Sequence, residues 1–100
     1  MRDAETKEEA RVRVHLPLAL RPEAEGAATV DVRCTTVDQA LRALFERHPT
    51  LRRHILDEGG ALRSHVNVFL NRDDVRAVGG MTTAVRQGDE IHVVPSIAGG

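Results

Sequence analysis

The sequence predicts an α+β domain: a mixed sheet with one helix packed across one of its faces. Two patterns in its 100 residues carry that expectation. Several short runs alternate apolar and polar residues, the period of a half-buried strand, and one longer run has apolar residues at helical spacing. The apolar fraction is 41% with only two aromatic residues, Phe45 and Phe69, enough for a single modest core built mainly from aliphatic side chains.

Residues 1–10 are charged and poor in large apolar groups, and are expected to be a disordered leader. The alternation at 11–16 predicts a first strand with Val12, Val14 and Leu16 toward the core and Arg13 and His15 on the other face. Pro17 closes it, and a loop rich in Pro, Glu, Ala and Gly runs to Gly26. A second alternating run, 29–33, would pair with the first as a hairpin. Thr36 with Gln39 three residues on has the form of a capping box, and Asp38 suits the positive end of a helix dipole. Val37, Ala40, Leu41, Leu44, Phe45 and His48 then recur on one helical face until Pro49. Leu51, Ile55 and Leu56 predict a short second helical turn. Residues 65–70 read as a third strand, Val75 and Arg76 as a short fourth, and 90–94 as a fifth ending at Pro95. Gly79 and Gly80 read as a loop. The order β-β-α-β-(β)-β fits a β-grasp, the ubiquitin-like architecture, over residues 11–95, with a flexible tail at 96–100.

Composition excludes several classes. A net charge of −1 without stacking aromatics argues against nucleic acid and anionic membranes. A single cysteine, Cys34, rules out an intramolecular disulfide and a multi-cysteine zinc site. It reads as a small apolar filler at a strand end rather than a reactive thiol. No apolar run reaches transmembrane length and the N-terminus lacks a signal-peptide core, so a cytoplasmic protein is expected. The five histidines are scattered. His15 and His92 become neighbours if their strands pair, and a solvated pair rather than a metal site is expected there. The Gly-Gly pairs at 59–60 and 79–80 lack the Lys-Ser/Thr of a P-loop, so the chain is expected not to be an enzyme.

The C-terminal Ile97-Ala98-Gly99-Gly100 carries the functional expectation. Glycine without a Cβ lies flat in a narrow channel, so a Gly-Gly end suits delivery of an α-carboxylate into another protein's active site. Phe69, placed by alternation on the uncovered face with His92 and Val94, would form an apolar docking patch for that partner.

Val66-Asn67-Val68 through Asn71, Gly88-Asp89-Glu90-Ile91, Pro95 and Ala98-Gly99-Gly100 together make the chain resemble the ubiquitin-like sulfur carriers of the ThiS/MoaD type. Leu20-Arg21-Pro22, Asp74-Val75-Arg76, Gly79-Gly80, Thr83-Ala84 and the end from Pro95 to Gly100 are similar to the CysO-type subgroup, the carriers of cysteine biosynthesis. The resemblance spans residues 11–100, and its second half is the more specific. It implies that an ATP-consuming partner adenylates the Gly100 carboxylate and that a sulfur donor converts it to a thiocarboxylate. It further implies a pyridoxal-phosphate (PLP)-dependent, cysteine-synthase-like acceptor enzyme and a metalloprotease as partners, with no cofactor bound to the chain itself. Three other readings remain open at this level: the small subunit of a molybdopterin synthase, a ubiquitin-like modifier joined to lysines, and a noncovalent interaction module.

Overall fold

The computed structural model describes residues 9–95. Five strands form one mixed sheet: β1 (Ala10–His15), β2 (Thr29–Cys34), β3 (Val66–Leu70), β4 (Asp73–Asp74) and β5 (Glu90–Pro95), in the spatial order β2-β1-β5-β3-β4. β1 pairs antiparallel with β2 and parallel with β5, while β3 pairs antiparallel with both β5 and β4. A parallel pair needs a crossover, and here everything between β1 and β5 supplies it. Helix α1 (Val37–Arg47) lies on one face, followed by the short α2 (Leu51–Ile55).

Alternation fixes which face is covered. Val12, Val14 and Leu16, with Val30, Val32 and Cys34, Val66, Val68 and Leu70, and Ile91 and Val93, are buried against Val37, Ala40, Leu41, Leu44 and Phe45 of α1. The Thr36 side chain accepts from the Gln39 N–H at 3.2 Å, as an N-cap should. The reciprocal half of the capping box is displaced by one residue, because the Gln39 carbonyl accepts from the Thr35 N–H at 2.8 Å.

Four expectations are corrected. Ala10, assigned to the leader, belongs to β1, where its small side chain is buried and it pairs with Cys34. The region after Pro17 is not simply a loop: Leu18–Ala24 winds into a 3₁₀ helix, which buries Ala24 and brings Leu20 against the core. The fourth strand is Asp73–Asp74 rather than Val75 and Arg76. Those two residues open a helical turn, α3 (Val75–Val78), because the Asp74 carboxylate accepts from the Arg76 N–H at 2.9 Å and Val75 is drawn into the core. Gly79 ends that turn at φ 148°, where a Cβ would stand 2.8 Å from Thr83 Oγ1, and Gly80–Thr82 continues as a 3₁₀ turn. Among the described residues no helix is long and apolar enough to cross a membrane. The leader before residue 9 and the tail residues Ile97, Ala98, Gly99 and Gly100 lie outside the described residues.

Candidate functional site: the open face of the sheet

The face away from α1 is set by register. One row crosses all five strands: Thr29 opposite His15, His15 opposite His92, His92 opposite Phe69, and Phe69 opposite Asp74. The structure therefore brings Phe69 and His92 together as direct cross-strand partners, the closest relation two sheet residues can have. Val94 stands two residues beyond His92 on the same face, opposite Asn67, and is 42% exposed. The three residues expected to form a docking face thus share one surface.

Three further members complete this region, and the sequence reading missed two of them, Leu18 and Arg76. Because β5 runs parallel to β1, the chain leaves β5 at the same end of the sheet as the connection that follows β1. That connection carries Leu18, 75% exposed and the most exposed large apolar residue of those described. His15 stacks on His92, with ring centroids 4.2 Å apart and planes 15° from parallel. Arg76 reaches back to the start of β3, donating to Asn67 Oδ1 at 3.1 Å and to the Val66 carbonyl at 3.0 Å. That places a guanidinium beside the strand pair from which the tail departs, since Val66 and Asn67 are the partners of Pro95 and Val94. Alternation alone signals His15. Nothing local signals Leu18 or Arg76, whose places depend on how distant strands pair.

The opposite end of the open face is a ladder of charges. Arg13 Nε donates to Asp31 Oδ1 at 3.1 Å. Arg11 and Arg33 are direct cross-strand partners, a like-charge pair that costs stability. The face therefore grades from charged at the start of β5 to apolar and aromatic where the tail begins.

Cys34 is not part of it. Its side chain is 1% exposed in the core, and burial, with the nearby Glu9 charge second, pushes the thiol up to about 11. The thiolate is the reactive form, so this environment makes Cys34 inert. That agrees with its reading as filler.

Comparison with known proteins decides the family. The ThiS family matches residues 14–100. The chain belongs to the ThiS family. The match runs from within β1 to the last residue and so takes in almost all of the fold. Sulfur carrier protein CysO of Mycobacterium tuberculosis is 32% identical over 91 residues, covering 89% of this chain and 98% of that protein. A chain of the Amycolatopsis orientalis BexX/CysO complex superposes with a TM-score of 0.82 at 31% identity, over 89% of this chain and 99% of that one. SAMP1 from Haloferax volcanii superposes with a TM-score of 0.78 at 31% identity, over 91% of this chain and 100% of that one. These likenesses confirm the ubiquitin-like β-grasp for this ThiS-family chain. CysO is a sulfur carrier protein and SAMP1 a small archaeal modifier protein.

Proposed function

We propose that this chain is a sulfur carrier for cysteine biosynthesis, whose chain-end Gly100 is the site of loading. The observation that carries this reading is the match to CysO across nearly the whole of both chains, and the family match extends through residue 100. A carboxylate is a poor electrophile because its leaving group would be oxide. A partner enzyme that joins the Gly100 carboxylate to the AMP of ATP, releasing pyrophosphate, converts that oxygen into a good leaving group. A sulfur nucleophile then attacks the carbonyl. With sulfide as that nucleophile, the C–S bond forms as the C–O bond to AMP breaks, AMP departs, and loss of the sulfur's proton to solvent leaves a thiocarboxylate. This sulfur is nucleophilic and stays covalently held. The acceptor is an activated serine on a PLP-dependent enzyme: the thiocarboxylate sulfur bonds to its Cβ as the activating group leaves, the acyl group of the resulting thioester shifts from sulfur to the amino nitrogen, and a metalloprotease hydrolyses that amide to release cysteine.

In this reading the open face docks the activating partner, with Phe69, His92 and Val94 near the root of the tail and Ile97, Ala98 and Gly99 leading Gly100 into the partner's site. The BexX/CysO complex gives a related carrier a partner protein.

The test is intact-protein mass spectrometry after incubation with ATP, a ThiS-type activating enzyme and a sulfide source. The expected result is replacement of one oxygen by sulfur at Gly100, and addition of a cysteinyl residue once acceptor enzyme is supplied. Deleting Gly100 or replacing it with Val abolishes both with thermal stability unchanged, because a chain end adds little to the core. Loading without the cysteinyl adduct would remove the cysteine assignment and keep the carrier; no loading would remove the carrier. The likeness to SAMP1 supports a second reading, a ubiquitin-like modifier joined to lysines through Gly100. Isopeptide-linked ladders on blots of cell extract distinguish it.

A further inference from the structure

Two imidazoles and a carboxylate converge at the centre of the open face. Glu90 and His92 are two apart on β5 and so project to the same side, and His15 is the direct partner of His92 across the parallel β1–β5 ladder. His15 Nε2 and Glu90 Oε1 are 2.6 Å apart, a hydrogen bond in which the ring N–H donates to the carboxylate. One ligand atom from each of the three residues lies within 4.8 Å of the other two. Arg13, the cross-strand partner of Glu90, directs its guanidinium to Asp31 instead.

We propose that His15, Glu90 and His92 form a binding site for a divalent transition metal, with Zn²⁺ as the reference ion. Two imidazoles and a carboxylate are a zinc ligand set that leaves a fourth position open. Around a tetrahedral ion with bonds of about 2.1 Å, ligand atoms sit about 3.4 Å apart, so the His15–Glu90 pair at 2.6 Å needs to open by about 1 Å and the wider separations, at most 4.8 Å, need to close by no more than about 1.4 Å. The side chains have room to do so: those of His15 and Glu90 are 32% and 48% exposed. Their backbones stay fixed because β1 and β5 are both interior strands of the sheet. An ion lies in the plane of each imidazole that binds it, so binding turns the rings out of their stack and exchanges the His15–Glu90 hydrogen bond for two bonds to the metal. The proton on His15 Nε2 is released to solvent in the exchange, leaving the nitrogen lone pair for the metal. The imidazoles select against Mg²⁺ and Ca²⁺, which prefer all-oxygen shells, and favour Cu²⁺ over Zn²⁺. The open fourth position faces outward beside Phe69, available to water or to a ligand from a docked protein. The site stands whether or not the chain carries sulfur.

The experiment is calorimetric titration of the tag-free, chelator-stripped full chain with ZnCl₂. One ion per chain should bind with a Kd of about 1–100 μM. His15→Ala and His92→Ala should each weaken binding by about 10-fold or more, and Glu90→Gln by about 3- to 10-fold, the scale of losing one ligand. His65→Ala, outside the cluster, should stay within about 2-fold, and millimolar Mg²⁺ should not compete. Imidazole ¹⁵N resonances of the unaltered chain give a readout free of any folding defect: those of His15 and His92 should shift with added Zn²⁺ and those of His65 should not. No saturable binding below about 1 mM, or binding unchanged in the His15→Ala/His92→Ala double variant, would overturn the site. So would binding lost on removing Gly99 and Gly100, which would assign the ion to the chain end.

Discussion

Replacing Cys34 with Ala separates the two sulfurs this chain can present, its own thiol and the one proposed at Gly100. Cys34 is 1% exposed and its thiol is pushed from 9.0 up to about 11. At pH 7 a thiol of pKa 9 is about 1% thiolate, whereas one at 11 is about 0.01%, so alkylation of the folded chain should be at least about 100-fold slower than after denaturation. The same shift has a consequence for stability. Between pH 9 and 11 the unfolded chain has lost the thiol proton that the folded chain keeps. The contribution is therefore full below pH 9 and is lost as pH rises through 11, to a total of about 2–3 kcal/mol. Denaturant titrations from pH 8 to 11 should show this fall in the parent and not in Cys34→Ala. The substitution leaves a small void and costs about 1–2 kcal/mol, which a domain with about 5–15 kcal/mol of stability survives. Thiocarboxylate formation on Cys34→Ala, followed by mass spectrometry, should equal that of the parent. A folded Cys34→Ala chain that fails to load would show that sulfur passes through Cys34. A native thiol that alkylates as fast as free cysteine would refute the burial argument.

Two further outcomes follow from the open face. Phe69→Ala removes a half-buried ring at a stability cost of about 1–2 kcal/mol and should lower kcat/KM for adenylation about 10- to 100-fold if the face docks the activating enzyme; a loss under 2-fold with the far-ultraviolet spectrum unchanged would sink the docking role. Alanine is the cleaner choice than Asp here, because a carboxylate at position 69 would oppose Asp74 directly. Arg33→Glu turns the Arg11–Arg33 like-charge pair into an attractive one and should raise stability by about 0.5 kcal/mol in low-salt urea titrations; no gain there would mean the two guanidinium groups do not feel each other.

Local pattern was sufficient for most of the secondary structure. Period-2 alternation in β1, β2, β3 and β5 and period-3.6 spacing in α1 name the buried side chains, because each strand or helix has only one apolar face to bury. It failed where a short segment's state depends on what it meets. Val75 and Arg76 look like a strand in isolation, but the Asp74 cap and the core contact of Val75 turn them into a helix. The stretch after Pro17 lacks an apolar period, yet Ala24 and Leu20 wind it against the core.

The sequence by itself determined the fold class, the phase that puts Phe69, His92 and Val94 on one face, and the resemblance that placed the chain with ubiquitin-like sulfur carriers. All three rest on side-chain period or on residues close together in the chain. Only the tertiary structure decided that His15 stacks on His92 beside Glu90, that Leu18 lies at the end of the sheet where the tail begins, and that Arg76 caps the start of β3. Each joins residues on elements far apart in sequence. Register between strands is set by the packing of the whole core, and no local pattern encodes it.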